Sequence, residues 1–207
     1  MTVAIIDCGA GNLHSVEKAV RKVMGAAPSI VTDAELLSEA THIILPGVGA
    51  FADCMNGLHA LKNMKEALEE AVLVQKKPFL GICVGMQMLF ERGYEHGEHA
   101  GLGWLKGEVV PLKPADSSMK IPHMGWNPIR FEQDAHPLLR DIDQGAHMYF
   151  VHSYHAQPED RSDVLLTCEY GESVVAAVAR GNIMGTQFHP EKSQAAGLQL
   201  LKNFVGM

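Results

Sequence analysis

The segment PFLGICVGMQ, residues 78–87, places Cys83 between Gly81 and Gly85, where an apolar run gives way to a helical pattern. This is the GxSxG elbow pattern with cysteine in the serine position. The tight turn presses backbone against backbone, so its flanking positions have no room for a Cβ. Cys83 would project from the end of a strand at the start of a helix, and a helix N-terminus favours thiolate over thiol. The N–H of Val84 would then be left to donate to an oxyanion. A lone cysteine is more often a small buried apolar side chain, and it is the paired glycines that argue otherwise here.

A second segment, GTQFHPEKS at 185–193, supplies the base such a thiol needs. Pro190 drives His189 into extended geometry, where residues two apart share a face. Glu191 can then sit beside His189, orient its imidazole and favour the charged form. A third segment, LPGVGAF at 45–51, follows a strand-like run with glycines whose backbone N–H groups can cradle an anion or oxyanion. No GK[ST] follows, so it is not a Walker loop. The GAGN at 9–12 is not a dinucleotide fingerprint, because His14 stands where the third glycine belongs.

Two other groups of histidines read as structural. Glu95, His96, Glu98 and His99 lie in a Gly-rich polar stretch without HExxH spacing, so a solvated loop is expected rather than a metal site. His152 and His155 flank Ser153 and Tyr154 and alternate with apolar residues, as sheet residues do. Neither a metal nor a cofactor is expected.

The elements that must position these segments change character along the chain. In the first part, strands expected at 3–6, 29–32, 42–45 and 79–82 alternate with helical patterns. One helix runs from Leu13 to Met24 and closes at Gly25; another covers 51–75 with an interruption near Gly57. That alternation predicts a buried parallel sheet. From Trp104 onward, β-type runs follow one another at 108–112, 147–153, 164–168, 174–179 and 183–188, with a hairpin turn at Gly181 and Asn182. A terminal helix presents Leu198, Leu201, Phe204 and Val205. The expected fold is α/β, a mixed and mostly parallel central sheet with helices on both faces and antiparallel additions in the C-terminal part. Residues 1–207 are read as a single domain. Residues 93–103 and 113–119 are expected to be polar loops.

Composition narrows the function. The 207 residues are 47% hydrophobic and 20% charged, which suits a folded core and excludes wholesale disorder. Seventeen Lys and Arg stand against 24 Asp and Glu, a net charge of −7 without a basic run, so neither nucleic acid nor an anionic membrane is an expected partner. The cysteines Cys8, Cys54, Cys83 and Cys168 form no CxxC pair and are too sparse for a disulfide scaffold. The apolar run at 3–6 lacks a basic lead-in and reads as a strand rather than a signal peptide. A cytoplasmic location is expected.

The motifs GICVGMQ and FHPEKS resemble those of the class I (triad) glutamine amidotransferases. PGVGAF at 46–51, KIPHMGWN at 120–127, MYFVHSY at 148–154 and LLKNF near the end narrow the resemblance to the glutaminase subunits of imidazole glycerol phosphate synthase, over essentially the whole chain. The resemblance implies that Cys83 is the nucleophile, His189 the acid and base and Glu191 its partner. It implies an oxyanion site of Gly47 and Val48 opposite Val84. Gln87 and Glu95 would hold the amino-acid end of glutamine, helped by backbone at Ser153 and Tyr154. Pro122, His123, Met124, Gly125, Trp126 and Asn127, with Asn12 and Lys192, would face the cyclase subunit, a (β/α)8 barrel that takes the ammonia. Val84 replaces a common Leu, which keeps the N–H; Cys8 replaces a common Tyr and reads as structural. The residues themselves leave other readings open: an amidotransferase subunit for anthranilate, guanylate or pyridoxal phosphate synthesis, a self-contained cysteine hydrolase acting on a γ-glutamyl substrate, or a binding subunit with a dead site.

Overall fold

The computed structural model describes residues 1–9, 12–115, 119–133 and 135–207. Residues 10 and 11 of the GAGN turn and residues 116–118 of the loop at 113–119 lie outside the described residues.

The N-terminal half alternates as its periodicity predicts. Strand β1 (Val3–Ile6) leads through helix α1 (Leu13–Met24) to β2 (Ser29–Val31), and a 3-10 turn at Ala34–Glu39, capped by the Asp33 carboxylate, leads to β3 (His42–Gly47). Helices α2 (Phe51–Ala60) and α3 (Met64–Glu69) follow, the latter running on into a π turn at Glu70–Val74, and then β4 (Phe79–Cys83). A four-residue helix α4 (Val84–Gln87) gives way almost at once to β5 (Phe90–Gly93). Beyond it lie β6 (His99–Ala100), β7 (Leu105–Pro111), β8 (His123–Pro128), β9 (Arg130–Phe131), β10 (His147–His152), β11 (Tyr154–Pro158), β12 (Val164–Glu169), β13 (Ser173–Arg180), β14 (Ile183–Thr186) and α5 (Gln194–Val205).

Eight strands form the central sheet in the order β2, β1, β3, β4, β14, β13, β12, β9. The first five are parallel, and β13, β12 and β9 extend them antiparallel. Ile5, Ile43, Ile44, Phe79, Leu80 and Ile82 are wholly buried, as expected where both faces of a parallel sheet are covered. Helix α5 packs on α1, and α2 packs on α3 and α4. Two smaller sheets stand beside this one: β10 with β8, and β11, β7, β5, β6. Among the described residues no helix is long and apolar enough to cross a membrane.

Two expectations are corrected. The helical stretch at 51–75 does not break at Gly57 but at residues 61–63, where Asn63 takes the left-handed conformation. Gly57 sits inside α2 because a Cβ there would lie 2.1 Å from the Cys8 carbonyl oxygen, so the glycine permits close packing of the helix on the chain leaving β1. The stretch at 93–103 is not all loop: His99–Ala100 pairs with β5.

Candidate active site

The site is built on the C-terminal ends of two adjacent parallel strands. Pairing of β14 with β4 sets Thr186 against Ile82, so the chain leaving β14 carries His189 past the residue that ends β4, Cys83. Cys83 has φ +55°, a left-handed conformation that a side chain rarely adopts. Close packing behind it enforces this turn. A Cβ on Gly85 would lie 1.9 Å from the Leu45 carbonyl oxygen, and one on Gly81 would lie 2.4 Å from that of Gly85. The sulfur is 4% exposed at the residue level and borders a cavity of about 480 Å³.

His189 is wholly buried and lines the same cavity. Its Nδ1 lies 2.8 Å from Glu191 Oε1, and the Glu191 side chain is itself fully buried. Asn12 Nδ2 also donates to Glu191 Oε1 and lies 3.3 Å from His189 Nδ1. His189 Nε2 makes no regular hydrogen bond, as is common in catalytic pairs before substrate binds. Burial alone would discharge the ring, but Cys83 on one side and Glu191 on the other outweigh it and raise its pKa to about 9. The arrangement therefore places a protonated imidazole beside the Cys83 sulfur at neutral pH.

That charge has a consequence for stability. A histidine with a folded pKa near 9 and an ordinary value of 6.5 stabilises the fold fully below pH 6.5, and the contribution disappears as pH rises through 9. The urea midpoint of the wild type should therefore fall more steeply between pH 7 and 9.5 than that of His189→Asn. Parallel declines would show that the ring is not held as a cation.

Around this pair the cavity is lined by Val48, Val84, Gln87, Glu95, Ser153 and Tyr154, all expected in the site, and by Asn12, Pro122 and Lys192, expected at a docking face. Gly47 lies just behind, buried, where a Cβ would meet the Gly85 nitrogen at 2.7 Å. Glu95 Oε2 accepts from the Phe51 N–H at 2.8 Å, so one of its oxygens is engaged at the start of α2. The Val48 carbonyl accepts from the Cys54 thiol at 3.4 Å. Burial pushes the Cys54 and Cys168 thiols up to about 12, which leaves both protonated and inert.

The docking-face assignments divide. In β8, Met124 and Trp126 point outward, at 62% and 46% exposure, and Pro122 and Lys192 are also exposed. Gly125 and Asn127 are half-buried. His123 faces inward and is buried, because alternate residues of a strand take opposite faces. Asn12 is likewise buried, its amide drawn to Glu191. These two side chains are thus buried in the chain, unlike Met124, Trp126, Pro122 and Lys192.

One residue of the site is absent from the sequence reading. Gln187 is wholly buried; its Nε2 donates to Cys83 Sγ at 3.6 Å and its Oε1 accepts from Gln87 Nε2 at 3.0 Å. Its position two residues before His189 was the available signal, since both then lie near the end of the strand that meets the elbow. The Glu95 to His99 stretch forms no ligand set: among the described residues no three His, Cys, Asp or Glu are placed to hold a metal ion.

The family model for "Glutamine amidotransferase class-I" matches residues 4–207. Imidazole glycerol phosphate synthase subunit HisH of Rhodospirillum rubrum is 52% identical over 99% of this chain and 98% of its own length. HisH of Zymomonas mobilis is 54% identical over 99% and 95%. Among solved structures, that of PurLQS from Thermotoga maritima superposes with a TM-score of 0.76 at 20% identity, covering 99% of this chain and 97% of that one, a likeness of fold.

Proposed function

The chain belongs to the class-I glutamine amidotransferases, within the family of HisH subunits of imidazole glycerol phosphate synthase, and from that premise we propose that it hydrolyses glutamine and passes the ammonia to a partner subunit. The observation that carries the reading is the meeting of Cys83, on its strained turn, with a charged His189 at one cavity. The Cys83 thiolate attacks the carboxamide carbon of glutamine. Backbone N–H groups of Val84 and Val48 hold the oxyanion that forms on the carbonyl oxygen. His189 gives its proton to the departing nitrogen, the C–N bond breaks, and a glutamyl thioester and ammonia result. His189 then takes a proton from water, whose oxygen attacks the thioester; the C–S bond breaks and glutamate leaves. Gln87, Glu95 and backbone at Ser153 and Tyr154 hold the amino-acid end of the substrate.

Ammonia released to bulk water is protonated and lost as a nucleophile, so it goes directly into the partner. That partner is a (β/α)8-barrel cyclase subunit, which forms imidazole glycerol phosphate and an aminoimidazole carboxamide ribonucleotide. Met124 and Trp126, with Pro122 and Lys192, supply this chain's docking contacts; such exposed apolar side chains suit the buried centre of an interface. The test is synthesis of imidazole glycerol phosphate by the chain mixed with its barrel partner and glutamine as sole nitrogen donor. Product is expected only when both chains are present. Glutamate released at the same rate without the partner would favour a self-contained hydrolase.

A further inference from the structure

His123 and His152 are two buried histidines that the mechanism does not use. His152 Nδ1 lies 2.9 Å from the Tyr154 carbonyl oxygen, and His123 Nδ1 lies 2.9 Å from His152 Nε2. A carbonyl oxygen can only accept, so His152 carries its proton on Nδ1. Burial lowers the pKa of His152 to about 3 and of His123 to about 4, so each ring has one proton at neutral pH. The bare Nε2 of His152 then accepts from His123 Nδ1. The bare Nε2 of His123 accepts from Asn127 Nδ2 at 3.2 Å, and the other proton of that amide goes to the Glu169 carbonyl at 2.9 Å.

The same Tyr154 carbonyl accepts a second bond, from Gln87 Nε2 at 3.0 Å. The remaining proton on Gln87 Nε2 goes to Gln187 Oε1, which turns the Gln187 Nε2 toward Cys83 Sγ. Every donor and acceptor in this series is thus fixed in direction by one carbonyl at its centre. Stacking between Phe150 and Tyr170, with centroids 4.7 and 4.0 Å away, holds the plane of the His123 ring.

We propose that His152, held in its tautomer by His123, is a positioning residue of the glutaminase site: it fixes the Tyr154 carbonyl and, through Gln87 and Gln187, the setting of the Cys83 sulfur. Apolar side chains of the same size would fill this space without burying ring nitrogens, which are costly unless bonded. The inference rests on the glutaminase reading, since it assigns what holds that site in shape.

The test uses the complex with the barrel partner. His152→Leu removes the donor to Tyr154 and should lower kcat/KM for glutamine about tenfold, the worth of one buried hydrogen bond. Ammonia-dependent synthesis by the same complex reports assembly. His152→Asn restores an N–H close to where Nδ1 stood and should recover most of the loss. A packing role predicts the reverse order, since Leu fills an apolar space better than Asn; Asn no better than Leu, or Leu equal to wild type, overturns the proposal. Should His152→Leu not fold, His123→Phe keeps the stack and deletes the donor to His152; a smaller fall in kcat/KM supports the proposal, and wild-type kinetics overturn it. A wild-type complex that releases no glutamate overturns the function itself, a result these variants cannot mimic.

Discussion

Cys83→Ala should reduce glutamine-dependent synthesis by the assembled synthase by ~10⁴-fold or more, the order of loss seen when a triad nucleophile is removed. Ammonia-dependent synthesis should survive. The substitution deletes the sulfur at the mouth of the cavity, while Met124 and Trp126 stay on the outer face of β8. It also relieves nothing essential to the turn, because Gly81 and Gly85, not the sulfur, make room for the crossing backbone. Equal loss of both activities would assign Cys83 to folding or assembly. Glu191→Gln should cost less, since an amide can still accept from His189 Nδ1, although its charge no longer supports the imidazolium.

Partner and nucleotide substrate together should raise glutamate release by roughly 100- to 1000-fold over the chain alone, the worth of one oxyanion donor. The loop that would supply this donor is fixed at one end and loose at the other. Gly47 is wedged against α4, whereas Gly49, at φ +93°, is exposed and has open space where a Cβ would stand. The Cys54 thiol holds the Val48 carbonyl, on the other side of the residue from the N–H that would turn. A resting chain with the Val84 N–H alone has half an oxyanion site, and a docked partner that favours the rotated loop completes it. Glutamate release is measured for the chain alone, with partner, and with partner plus its nucleotide. A lone chain already at the loaded rate would refute the coupling.

Much of this architecture was legible because its signals are local. A run such as Ile43, Ile44, Leu45 can only be buried on both faces, and the paired glycines around Cys83 report a close approach that the fold then displays. What was not legible depends on pairing between distant segments. The strands at 90–93, 123–128 and 154–158 are polar, aromatic or interrupted by glycine, and they form because β7 and β10 lie beside them rather than by their own pattern. Gln187 looked like filler between a strand and a histidine until β14 placed it over Cys83. Asn12 looked like a surface turn residue because nothing near it in sequence shows that Glu191 waits above it.

The place of β14 between β4 and β13 also sets the order in which this protein comes into being during translation. The elbow at Cys83 can form early, but its neighbouring strand is made about 100 residues later, roughly 5–20 s at ordinary elongation rates. Until then β4 is an open, apolar sheet edge, the kind of template that invites wrong partners and chaperones. No nascent chain can hydrolyse glutamine in that interval, because the histidine that would arm the thiol has not yet left the ribosome.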